Sequence, residues 1–315
     1  MPVSFWQLRS GVWAPLVDQG PTAPSMLIGA SNDIPSTTES GWTTFEATVP
    51  GPQTLRRTFS PESAGVPATW AASPAGTDVG KRGSAWSFKP NLTLMANGGL
   101  DTAFRNFILS IPDDHLAMIS MWPEADRHVR IATNTQAGVF TAAKWRAAHT
   151  RFAQIIREVG KPRVYIYTAH SSWLWYPENT NGPPEEDVWP GDGQVDIHGQ
   201  DGYGYHTREH PSEIFQGGID QARAKGVPWG VFETGCYEST SDVNAKATWM
   251  HLVADWAAVQ GSGGRPGCEV LCWFNSEQGL DPEVGAPTPG SSSQARTAAG
   301  QIATTYHRDW TTYSL

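Results

Sequence analysis

The chain reads as short apolar runs separated by polar or turn-forming stretches. Eight runs have the length and residue types of buried strands: SMLIGAS (25–31), TLRRTF (54–59), SAWSFKP (84–90), LAMISMW (116–122), RVYIYTA (163–169), VDIHGQDGY (195–203), VPWGVFE (227–233) and EVLCWFN (269–275). Between several of them apolar residues return at helical spacing, over 100–111, 141–159, 212–225, 242–259 and 294–309. In the second of these, Phe140, Trp145, Ala148, Phe152, Ile155 and Ile156 fall near helical spacing. Strand then helix, repeated, predicts parallel strands joined by crossover helices. Eight strands predict closure into a single (β/α)8 TIM barrel spanning 1–315, with 1–24 as an N-terminal extension. Residues 32–83 are rich in Pro, Ser, Thr and Gly, show only weak helices, and are expected to be long loops over one end of the barrel. The stretches 175–194 and 279–294 each follow a strand end, which puts them on the C-terminal face where such barrels carry their sites.

Composition then narrows the partners. A net charge of -9 without any Lys/Arg run argues against nucleic acid or an anionic membrane. No stretch approaches the length needed to span a bilayer. The start, MPVSFWQLRSGVW, lacks the basic and apolar regions of a signal peptide, so the chain is expected to be cytoplasmic on synthesis. Cys236, Cys268 and Cys272 cannot form a complete disulfide framework and read as small buried residues or free thiols. Fifteen tryptophans exceed what packing alone requires, and their flat apolar faces suit the C–H faces of sugar rings. For any one of them, filling a large core is the competing reading. No Gly-rich phosphate loop and no Gly-x-Ser-x-Gly elbow is present, and neither a cofactor nor a metal is expected.

Two carboxylates stand out by position. In VPWGVFETG, simple alternation puts Val227, Trp229, Val231 and Glu233 on one side of the strand; if that side is the interior, Glu233 emerges at the C-terminal mouth of strand seven. At strand four, MISMWPEAD ends in Glu124 in an equivalent way. Carboxylates at two such mouths can flank one glycosidic bond, one attacking the sugar carbon and the other protonating the leaving oxygen.

Glu124 after strand four, the strand-six stretch YPENTNGPPEEDVWPGDGQVDIHGQDGYGY, KGVPWGVFETG at strand seven and CWFN at strand eight together resemble the clan A glycoside hydrolases. Within that clan the sequence is most similar to the mannanase-like family 26, with the likeness strongest over 189–235. The resemblance implies a retaining glycosidase acting on a polysaccharide or oligosaccharide, with Glu233 as nucleophile and Glu124 as general acid/base. It further implies that Tyr203 lies beside the nucleophile and that Trp273 is the aromatic floor of the cleavage subsite. Trp122 beside Glu124 offers an apolar setting that raises an acid's pKa. The family usually carries His before its acid/base; this chain has Pro123, and Asp126 and His128 are the neighbours available to substitute.

Other residues weigh less. Trp86, Trp173, Trp175 and Trp189 lie near strand ends, where subsite stacking and packing both fit. HTREH (206–210) has a zinc-peptidase spacing that needs both histidines on one helix face, yet Pro211 marks a helix start just after it, so it reads as loop and His206 as a sugar-binding or surface residue. Asp196 and Asp201 flank strand six and read as structural, and Arg57 competes with Arg56 for the inward register. Two rival functions remain open: a barrel that binds glycan without cleaving it, and a structural subunit of a larger assembly. A virion tail component that acts on an envelope polysaccharide fits the latter by association, with no motif behind it.

Overall fold

The computed structural model describes residues 5–9, 12–16, 25–32, 39–204, 210–236, 242, 244–275 and 293–315. Its centre is a parallel sheet of eight strands: β1 (Leu27–Asn32), β2 (Leu55–Phe59), β3 (Gly83–Phe88), β4 (Ala117–Met121), β5 (Val164–Ile166, resuming at His170–Ser171), β6 (His198–Gly204), β7 (Trp229–Cys236) and β8 (Val270–Asn275). The two pieces of β5 form the two ends of the hydrogen-bonded order, one on β4 and the other on β6. Between them Tyr167 bridges Ile197, and the Thr168 N–H donates to the Ile197 carbonyl at 3.2 Å. The sheet therefore closes on itself, as the eight apolar runs predicted. Asp196 supports the seam structurally, accepting from the Ile166 N–H at 2.7 Å and from Arg157 at 2.7 Å.

Helices α1 (Glu39–Thr48), α2 (Leu92–Ala96), α3 (Asp101–Leu109), α4 (Ala125–Arg130), α5 (Ala142–Val159), α6 (Pro211–Lys225), α7 (Ala245–Ala257) and α8 (Ser293–Tyr306) surround the barrel. The five helices expected from periodicity are α3 and α5 to α8. Local signals set their ends: the Thr141 hydroxyl accepts from the Lys144 N–H at the start of α5, and Gly160 closes it at φ 66°. His210 caps α6, with Glu213 returning a hydrogen bond to the cap, so this histidine of HTREH serves the helix. His206 lies outside the described residues.

One expectation is corrected in 32–83. Besides three short 3-10 turns, this region contains the ten-residue helix α1. Its sequence, ESGWTTFEAT, has poor intrinsic helix propensity, but Trp42, Phe45 and the following Val49 are buried against the barrel, and that packing overrides propensity. An antiparallel hairpin, Phe5–Arg9 with Val12–Leu16, occupies part of the N-terminal extension.

The barrel is filled from its N-terminal end by Leu27, Leu55, Met118, Ile197 and Val270, followed by Ala85, Tyr167, Phe232 and Cys272. Two outer layers complete the core. One joins β7, β8 and β1 to α1, α6, α7 and α8; the other joins β3, β4 and β5 to α2, α3 and α5. All three cysteines are buried. Among the described residues no helix is long and apolar enough to cross a membrane.

Candidate active site

Above Phe232 the barrel interior turns polar. Glu233 accepts a hydrogen bond from the Tyr203 hydroxyl on Oε2 at 3.0 Å and pairs with Arg57 through Oε1 at 3.4 Å. Arg57 is fully buried, its guanidinium 4.2 Å from the centroid of Phe59 and 5.4 Å from that of Tyr167. Its neighbour Arg56 faces the other way, bonding Asp78 at 3.4 Å and lying 5.5 Å from the ring of Trp42. The register left open between the two arginines is thereby decided: Arg57 is the inward one.

Glu233 reaches the interior by a route that alternation does not describe. Trp229 and Val231 pack outward with the helices, so the phase of their side would send Glu233 outward as well. The pairing of β6 with β7 runs Gln200 to Val231 and then Asp201 to Glu233, leaving Phe232 as an extra residue. This β-bulge turns both Phe232 and Glu233 inward. Phe232 stacks on Tyr167 with centroids 3.8 Å apart. Gly199 makes this possible, because a Cβ there would stand 1.9 Å from the Thr168 carbonyl oxygen and 2.6 Å from the Phe232 ring.

Glu124 lies at the mouth of β4 on a strained turn. Trp122 and Glu124 have φ of 54° and 55°, the left-handed region that non-glycine residues avoid. Such strain clusters at functional sites, where surrounding structure over-determines it. The Glu124 N–H donates to the Ala169 carbonyl, tying the turn to β5, and its Oε2 accepts from Arg127 at 3.0 Å. The two neighbours expected to stand in for the missing histidine are engaged elsewhere. Asp126 accepts from the Ser171 N–H at 3.0 Å, and His128 pairs with the Thr133 hydroxyl at 3.0 Å.

The electrostatics follow from burial. Desolvation pushes the Glu233 carboxyl up to about 7; Arg57 opposes this, the charge of Glu124 adds to it, and the Tyr203 hydrogen bond and Lys89 oppose it in turn. Asp201 is buried beside them, and neither of its oxygens has a hydrogen-bond partner among the described residues. Burial first, then the Glu233 charge, holds its pKa well above the ordinary carboxylate range. Asp126 rises to about 7 through burial and the charge of Glu124. Four carboxyl groups thus share one electrostatic neighbourhood, a concentration typical of functional sites.

The aromatic expectations divide differently. Trp273 is buried in the layer beneath α1, α7 and α8, beside Phe45, Val49 and Met250, and does not form the floor of the mouth. Trp86 is fully buried in the opposite layer, stacked on Phe88 at 4.6 Å and donating to the Ser60 hydroxyl. Trp122 is 2% exposed and donates to the Pro90 carbonyl at 2.8 Å. Trp175 is half-buried against α6 and donates to Glu185. Trp86 and Trp273 occupy strand positions that face the helices, where large rings fill the layer, whereas Trp122 and Trp175 sit on turns beyond their strands. Aromatics that adjoin the site include Phe59, over Arg57, and Phe274, edge-on to Tyr203 at 6.1 Å. Phe274 shares the phase of Val270 and Cys272, a signal present in the sequence but readable only once the inward phase is known.

The sequence matches no protein-family model and no curated protein. Solved structures share the fold. The YdhT protein from Bacillus subtilis is 11% identical at TM-score 0.57, covering 91% of this chain and 87% of its own. The family 26 domain of an endo-β-mannanase/endo-β-glucanase from Prevotella bryantii is 13% identical at TM-score 0.52, covering 88% and 90%. A family 26 β-mannanase from Bacteroides ovatus is 12% identical at TM-score 0.52, covering 88% of both chains.

Proposed function

We propose that the protein is a retaining glycoside hydrolase acting on a polysaccharide or oligosaccharide. The observation that carries this reading is Glu233, turned into the barrel mouth by a bulge and held there by Tyr203 and Arg57. In the proposed cycle the Glu233 carboxylate attacks the anomeric carbon while Glu124 gives its proton to the departing glycosidic oxygen. Water, deprotonated by Glu124, then releases the sugar from Glu233. Tyr203 and Arg57 supply the hydrogen bond and positive charge that favour the ionised nucleophile. The fold shared with the family 26 mannanases supports the same assignment.

A second reading, glycan binding without cleavage, has one observation in its favour: the oxygen that Glu124 offers is occupied by an Arg127 N–H, a partner that an acid about to donate its proton does not need. Nothing in the fold supports assembly into a virion. Glu233→Gln decides between the two main readings. Turnover is expected to fall by roughly 10⁴-fold or more with glycan affinity retained, because the amide keeps the shape but cannot form the covalent intermediate. Undiminished turnover overturns the assignment of Glu233, and binding without turnover by the unaltered protein supports the second reading.

A further inference from the structure

Lys89 follows β3 at the barrel mouth and is half-buried, with Nζ 5.6 Å from the centroid of Trp122. Among the described residues two other cations form ion pairs with the mouth carboxylates: Arg57 with Glu233 at 3.4 Å and Arg127 with Glu124 at 3.0 Å. Lys89 has no hydrogen bond or ion pair among the described residues; its ammonium lies over the face of Trp122. Burial draws its pKa down, while the charges of Glu124, Glu233 and Glu62 act against that. An ammonium held partly out of water without a direct counter-ion is unfavourable unless something anionic completes its surroundings. The carboxylates whose charges act most on Lys89, Glu124 and Glu233, are each already in an ion pair with an arginine, and among the described residues none pairs directly with Lys89.

We propose that Lys89 is a specificity residue that receives an anionic substituent of the glycan, so that the substrate is an acidic polysaccharide bearing uronate carboxylates or ester sulfates. This rests on the glycosidase reading and extends it. A compact ammonium is a point charge that accepts either oxyanion, and a neutral hydroxymethyl group in the same place leaves the ammonium without its counter-charge. The competing role for Lys89, a general counterweight to Glu124 and Glu233, makes no distinction between acidic and neutral sugars.

The experiment uses the full chain carrying Glu233→Gln on an array of neutral, uronate-containing and sulfated polysaccharides, followed by calorimetry on the strongest hit. Acidic glycans are expected to dominate the array. Lys89→Met in the same background is expected to weaken the strongest acidic hit at least tenfold while changing a neutral control glycan less than twofold, with the melting temperature preserved. Lys89→Arg, which keeps the charge, is expected to recover part of the loss. Carboxyl reduction of the hit removing its binding identifies the uronate, and desulfation doing so identifies the sulfate. Hits confined to neutral glycans, or equal weakening of acidic and neutral binding by Lys89→Met, overturn the proposal while leaving the glycosidase reading in place. An array without hits overturns both.

Discussion

Two regions of this protein bury ionisable side chains and treat them in opposite ways. At the barrel mouth Glu233 stays within reach of a guanidinium and a phenol hydroxyl, so a charged form has partners. On the outer side of β5 and β6, His149, His170 and His198 are buried among tryptophans, the His170 and His198 rings 5.3 Å apart and Trp145 5.2 Å from His149. Here burial removes the charge. It pushes His149 down to about 3 and His170 to about 4, and holds His198 well below the ordinary histidine value. Burial thus leaves a carboxyl with partners for its charged form where a counter-charge is provided, and neutral packed rings where none is.

The two regions also oppose each other in their pH dependence. The carboxyls are raised on folding, so their contribution to stability is fully present below the unfolded carboxylate pKa and is lost as pH rises through about 7 for Glu233 and Asp126. The histidines are depressed, so theirs is fully present above about 6.5 and is lost as pH falls through about 4 for His170.

Mutations on each side test the contrast, beginning with the largest effect. Glu124→Gln is expected to lower kcat by about 10²- to 10⁴-fold with little change in melting temperature; a large loss of stability with kcat preserved marks Glu124 as structural. Trp145→Ala, which empties a site in the histidine layer, is expected to cost about 3–5 kcal/mol in denaturant unfolding while the folded fraction keeps its turnover. Asp201→Asn removes a carboxyl without hydrogen-bond partners among the described residues and is expected to stabilise the fold more at pH 8 than at pH 5; the opposite trend shows Asp201 to be ionised and paired. Tyr203→Phe is expected to lower kcat/KM about tenfold and to move its acidic limb above the position near pH 7 set by Glu233, because the lost hydrogen bond favours the carboxylate. An unmoved limb separates the titration from Glu233.

Much of the architecture was legible because it is periodic. All eight strands and five of the helices announce themselves by spacing, and Pro211 marks the start of α6. Helix α1 escaped because Ser, Thr and Gly dilute its propensity, leaving three apolar anchors whose value appears only against the barrel wall. Within the site, Glu233 and Tyr203 meet, whereas the tryptophans misled: size suggested ligand contact, but Trp86 and Trp273 face the helices.

The amino-acid sequence by itself determined the eight barrel strands and five of the helices, that they alternate often enough to close a barrel, and that carboxylates stand at strand ends, since these depend on local propensity and the burial period of each segment. Tertiary structure alone decided which side of each strand faces inward. Facing depends on register between neighbouring strands, and a single extra residue, Phe232, reverses it for Glu233. The same closure selected Arg57 over Arg56 and sent Trp273 outward, because each strand's inward phase is fixed by what fills the barrel beside it.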